Sequence, residues 1–211
     1  MTFMMKANAK WGWAGIVGCV LAAGLAVPAC AQVVVKKTTS YFVIQGKTAR
    51  DLDAALAHSG PQIENTSHHP GAAQIRYTGG LTYKEIGGLC AITKARVDLS
   101  LNIVLPKWAN RQGAPTNLAF LWDTLASDIK RHEEHHAAIA IAHAHQMEKA
   151  LEALKPERDC RSLQAKASTV TDEQIALQDA DQLKFDRNEA ATFETRMARL
   201  LKNRAQVAAN N

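Results

Sequence analysis

The sequence predicts an α+β fold in which a small, mainly antiparallel sheet packs against one long helix and a set of C-terminal helices. Three observations carry that prediction. In ITKARVDLSLNIVLP the residues Ala95, Val97, Leu99, Leu101, Ile103 and Leu105 are apolar and alternate with polar ones, the pattern of a strand with one buried and one wet face. From Pro115 to about Leu154 there is no helix breaker, and Ala, Leu, Glu, Lys and Gln dominate. No repeated strand-helix units follow the clear strand, so a doubly wound parallel sheet is not expected.

Taken in order, the chain opens with Lys6 and Lys10 ahead of the apolar run WGWAGIVGCVLAAGLAV, and Ala29-Cys30-Ala31 supplies the small residues a signal peptidase needs. Residues 1–31 therefore read as a secretory signal cleaved near Ala31, with Gln32 as the mature start. Trp11 to Val27 is slightly short for a membrane span, and Pro28 spoils a lipid-anchor site at Cys30. After a short basic linker, TTSYFVIQG is rich in β-branched and aromatic residues and reads as a strand. Thr48 with Asp51 then marks a helix start, Leu52, Ala55 and Leu56 share one face, and Gly60-Pro61 stops the run. The polar loop QIENTSHHPG follows, with His68 and His69 expected in solvent.

AAQIRYTGGLTYKEI alternates weakly and should form a second strand with a turn or bulge at Gly79-Gly80. The clear strand and the long helix come next, and Pro156 ends the helix. A helical region around Cys160 and Leu163 precedes a further helix expected to begin at Thr171, where Thr171 and Gln174 have capping-box spacing. Residues 204–211 are expected to fray.

The mature chain of about 180 residues suits a single core. Formal charge is +5 for the whole sequence and about +3 without Lys6 and Lys10, a mild excess spread along the chain that is no nucleic-acid footprint. Two of the four cysteines, Cys90 and Cys160, lie outside the signal. An exported protein meets an oxidising compartment, so this pair is expected to close as a disulfide; without a C-x-x-C partner it makes a poor zinc site.

The chemistry is carried by RHEEHHAAIAIAHAHQ, Arg131 to Gln146, which contains H-E-x-x-H as His132, Glu133 and His136. On a helical wheel Ile129, His132, His136, Ile139, His143 and Met147 fall in one arc, so both motif histidines face inward. Their spacing of four places two imidazoles on adjacent turns, where they can occupy two corners of a zinc tetrahedron. Glu133, one residue round the helix, can reach a water at the metal without ligating it, as a general base must. His143 lies on the same face but about 13 Å along the axis, too far to share the ion. His135 and His145 point away, and Ala142 excludes a third histidine at metzincin spacing. The remaining ligand must come from elsewhere, and the C-terminal region offers Asp179, Asp181, Asp186, Glu189 and Glu194.

Several ordered segments are similar to those of a known family. YFVIQGKTARDLDAALAHSGP, the stretch from Cys90 through LPKW to Trp108, WDTLASDIKRHEEHHAAIA and the later Cys160 resemble a domain of unknown function found in exported bacterial proteins described as predicted secreted zinc-dependent proteases. The resemblance implies zinc ligation by His132 and His136 and a catalytic role for Glu133. The family's tail segment resembles Y-D-x-x-T-x-H-G, and the corresponding stretch here is FDRNEAAT, with Glu189 at the Thr position and Ala191 at the His position. Asp186 or Glu189 is then expected as the third ligand, since carboxylates serve in catalytic zinc sites.

The resulting expectation is a zincin-like domain over residues 32–203, periplasmic or secreted, with Zn2+ as cofactor and a peptide or protein as substrate. Glu133 would act as general base toward a zinc-activated water. The alternative is a non-catalytic envelope protein that keeps the fold and a zinc site and acts by binding. Metal buffering is a third possibility, which leaves Glu133 without a task.

Overall fold

A computed structural model describes residues 32–62 and 68–210; the expected signal, residues 1–31, lies outside them. The described elements are β1 (Gln32–Ile44), α1 (Ala49–Ser59), β2 (Ala72–Ile86), β3 (Leu89–Trp108), a 3-10 turn at Arg111–Gly113, α2 (Thr116–Glu152) and α3 (Cys160–Ala209). The fold is α+β. One sheet has the order β1-β3-β2. β2 and β3 form an antiparallel hairpin. Along β1 the register on β3 rises with it, from Thr38 beside Leu101 to Ile44 beside Ala109, so β1 runs parallel to β3 and the sheet is mixed. Among the described residues, no helix is long and apolar enough to cross a membrane.

The chain divides into two compact units, and the long elements run through both. One unit holds Tyr77–Leu99 and His143–Ile175, together with residues 32–34. Its buried side chains include Leu81, Ala95, Val97 and Leu99 from the hairpin and Met147, Leu151 and Leu163 from the helices, so the alternating face of β3 is buried as its pattern predicts. The hairpin turns at Gly87-Gly88, whose φ values of 61° and 78° suit glycine. Gly79, expected at a turn or bulge, instead lies within continuous β2. A Cβ there would sit 2.2 Å from the Arg96 carbonyl oxygen, so glycine permits the two backbones to approach.

Cys90 and Cys160 form the expected disulfide. Beside it Cys90 N–H donates to Glu157 O and Glu157 N–H to Cys90 O, at 2.7 and 2.9 Å. The bridge closes a loop of sequence separation 70, for which restriction of the unfolded chain is worth about 4 kcal/mol. Denaturant unfolding of the Cys90→Ser, Cys160→Ser double variant is expected to show a loss approaching that value; a change below about 1 kcal/mol would mean that the bridge constrains little.

The second unit holds Val35–Arg76, Ser100–Ala142 and Ala176–Asn211. Its core joins Ile44, Leu52, Leu56, Trp108 and Trp122. The two indoles meet edge to face at 5.8 Å, and Trp108 Nε1 donates to Gly46 O. α1 starts as its sequence predicts: Thr48 Oγ1 accepts from Asp51 N–H, and the Asp51 carboxylate accepts from Thr48 N–H. Hydrogen bonds from Lys47 and Thr48 hold the Asp51 carboxyl below its usual pKa. At the start of α2, Arg111 pairs with both oxygens of Asp123, at 2.7 and 2.5 Å.

α3 departs from the expectation of two helices. Cys160 to Ala209 contains neither glycine nor proline, and the helix runs unbroken past Thr171. Buried Thr171 donates its hydroxyl to Ala167 O at 2.8 Å instead of capping a new helix. The capping contact lies earlier, at Asp159, whose carboxylate accepts from Ser162 N–H at 2.8 Å. The tail expected to fray from residue 204 is helical to Ala209.

Candidate metal centre

The site lies within the second unit, on α2 and the later part of α3. α2 carries His132 and His136 one turn apart, with ring centroids at 4.6 Å. On α3, Gln182, Asp186 and Glu189 recur at intervals of four and three residues and so share one face. The three potential ligand atoms form a small triangle. His136 Nε2 lies 3.0 Å from His132 Nε2, and Asp186 Oδ1 lies 2.9 Å from His136 Nε2 and 3.3 Å from His132 Nε2.

A tetrahedral zinc with bonds of about 2.0–2.1 Å needs donor atoms about 3.3–3.4 Å apart. The observed edges equal that spacing or fall a few tenths of an ångström short of it. Two imidazoles and one carboxylate are also a donor set used by catalytic zinc. Among the described residues, His132, His136 and Asp186 are the His/Cys/Asp/Glu group brought close enough to hold a metal ion. Asp186 is 47 % exposed, which leaves the triangle open to solvent on its side.

Each ring is oriented from behind. Gln182 Nε2 donates to the His136 carbonyl at 3.1 Å, which turns Gln182 Oε1 toward His136 Nδ1 at 2.5 Å. That acceptor places the ring proton on Nδ1 and leaves the Nε2 lone pair facing the triangle. Glu189 stands behind His132 in the corresponding place but farther off, with Oε2 3.5 Å from Nδ1, where its charge favours a proton on that nitrogen. Of the two candidate third ligands, Asp186 therefore enters the triangle, whereas Glu189 stands behind His132. Burial works to raise the Glu189 carboxyl, but hydrogen bonding to Arg131 and the charges of Arg131 and Arg196 hold it below its usual pKa. Burial, followed by the neighbouring His136, lowers the His132 pKa.

Glu133 is 4 % exposed. Its carboxylate accepts a hydrogen bond from the Ala73 backbone, at the start of β2. Gly71 makes that approach possible, since a Cβ there would stand 2.8 Å from Ile129 Cγ2 and 2.9 Å from Glu133 Oε1. Burial and then the charge of Asp186 push the Glu133 carboxyl up to about 8, against the Ala73 hydrogen bond. Without a cation beside it such a group holds its proton at neutral pH, and a divalent ion at the triangle would favour the carboxylate form that a general base needs.

The other histidines stay out of the triangle. His143 is buried and His145 exposed. His135 is exposed, with its ring stacked 4.1 Å from that of Phe185. Phe185 also touches His132 and His136, at 4.9 and 5.0 Å between ring centroids, so one apolar ring walls the pair. His68 and His69, expected in solvent, are half-buried, and His68 lies 6.2 Å from His58. Sequence reasoning missed Gln182, Phe185, Asp128 and Arg196; their one visible signal is helical spacing with His132 and His136 on α2 and with Asp186 on α3.

Residues 39–193 match the model of a family described as bacterial protein of unknown function (DUF922). The chain belongs to this family. The match takes in β3, the whole of α2 and α3 as far as Phe193, so the triangle and the two side chains behind it, Gln182 and Glu189, lie within the matched span, while Arg196 lies just beyond it. No curated protein and no solved structure matches the chain.

Proposed function

We propose that this chain is an exported zinc-dependent peptidase, periplasmic or secreted, with His132, His136 and Asp186 as ligands and Glu133 as general base. The convergence of two Nε2 atoms and one carboxylate oxygen within 2.9–3.3 Å carries this reading. The disulfide suits an oxidising compartment.

Zinc in this set would supply Lewis acidity, making a water nucleophilic near neutral pH and polarising the scissile carbonyl. Glu133, as a carboxylate, would take a proton from the attacking water as its oxygen bonds to the carbonyl carbon, and would give it to the amine nitrogen as the C–N bond breaks. Gln182 and Glu189 keep the ring protons on Nδ1, and Phe185 limits water on its side of the histidines. Solvent-facing Asp186 lies on the side from which a polypeptide substrate arrives.

The test compares zinc content of the mature chain with that of a His132→Ala, His136→Ala double variant. Zinc is expected in the first and absent from the second, and equal content would remove the site. A Glu133→Gln variant then addresses turnover on unfolded protein substrates. Loss of cleavage with zinc retained is the expected result. Cleavage by neither protein would instead favour a binding role.

A further inference from the structure

We propose that Arg196, held by Asp128, is a positioning residue for the metal ligand His132 and acts on it through Glu189. This inference rests on the metal site proposed above and adds the device that sets one ligand. Arg196 and Asp128 are separated by 68 residues, and their side chains are only 11 % and 5 % exposed. Two charges so buried persist because each is paired and hydrogen-bonded.

The guanidinium is fully engaged. Nε donates to both Asp128 oxygens at 3.1 and 3.2 Å, and Nη2 to Asp128 Oδ2 at 3.2 Å. Nη1 donates to the Glu189 carbonyl at 3.2 Å and to Thr192 Oγ1 at 3.0 Å. Nη2 also lies 3.3 Å from Glu189 Oε2. Arg196 thus grips the backbone and the carboxylate of the same residue, fixing both the helix turn and the side-chain direction of Glu189.

Arg131 closes the network from α2. Its Nε donates to Asp128 Oδ1 at 2.9 Å, and its Nη2 pairs with Glu189 Oε2. Two guanidiniums and two carboxylates balance in charge. The atom this arrangement aims is Glu189 Oε2, which faces His132 Nδ1.

His136 gives the contrast that makes the proposal testable. Its Nδ1 faces Gln182, a neutral amide anchored on α2's own backbone. Damage confined to the Arg196 network should therefore reach His132 and spare His136. General loosening of α2 and α3 would disturb both rings.

The experiment uses the full mature chain, metal-free and labelled with 15N at histidine, at a pH where both imidazoles are neutral. In the wild type, 15N shifts are expected to report an Nδ1–H population at both His132 and His136, beside forms in which one Nε2 donates across the 3.0 Å contact between the rings. Arg196→Met should lower the Nδ1–H share at His132 and leave that at His136 unchanged, and Arg196→Lys should restore His132 in part. Zinc affinity of Arg196→Met, measured by chelator competition, should fall about 10–100-fold, the usual effect of losing a group behind a ligand.

Should Arg196→Met fail to fold, Glu189→Gln serves in its place. Its amide can turn N–H toward His132 and favour the Nε2–H tautomer, which opposes metal binding, again with His136 unchanged. An unaltered His132 tautomer in the variant that folds, or equal changes at both rings, would overturn the proposal. The tautomer arm needs no zinc, so a wild type that binds none would remove the metal reading while leaving the positioning question decided by the shifts.

Discussion

Asp186→Ala is expected to weaken zinc binding by more than the about 10–100-fold that follows from changes behind a ligand, because it removes one of three donor atoms. Among the described residues, Asp186 Oδ1 is the one carboxylate oxygen placed against both Nε2 atoms, at 2.9 and 3.3 Å. Its exposure makes the variant informative, since a residue 47 % in solvent contributes little packing and the fold should survive. Chelator competition gives the affinity, and far-UV circular dichroism shows whether the helices are intact. Asp186→Asn should fall between the two, keeping an oxygen but not its charge. Affinity within a few-fold of wild type in Asp186→Ala would dismiss the assignment and return Glu189 as the candidate ligand.

Glu133→Gln is expected to stabilise the metal-free protein at neutral pH. With its carboxyl raised to about 8 by burial and by Asp186, native Glu133 keeps its proton at pH 7, whereas in the unfolded chain an ordinary glutamate has lost it. The native state binds more protons between the two pKa values, so stability falls as pH rises from about 4.5 to about 8. The contribution is complete below the lower value and gone above the higher. At pH 7 the accumulated loss is on the order of 3 kcal/mol.

Glutamine does not titrate and still offers an oxygen to the Ala73 N–H. Its melting temperature should exceed that of wild type by roughly 6–12 °C at pH 7 for a chain of this size, and the two should converge near pH 4. Zinc should narrow the gap, because a nearby cation favours the carboxylate. Parallel pH profiles for wild type and variant would show that Glu133 does not titrate in this window.

The legible parts of the structure were those set by local periodicity or by counting. α2, its inward histidines and the alternating face of β3 follow from spacing along a helix and a strand. The capping box at Thr48 and the Cys90–Cys160 bridge follow from residue type and number. α3 departs from the sequence expectation because Thr171 and Gln174 carry cap spacing, whereas buried Thr171 satisfies its hydroxyl on the preceding turn. The choice between Asp186 and Glu189 was not legible. They lie three residues apart on one helix face, and only the way α3 lies along α2 decides which reaches Nε2 and which reaches Nδ1.

Gln182 has a mechanical consequence. One amide bonds both the His136 ring and the His136 peptide carbonyl, so it gauges the longitudinal register of α3 on α2. A slide by one residue amounts to about 1.5 Å and would stretch both bonds past their useful length. In the proposed function, metal capture at this site would therefore report whether the two helices are in step.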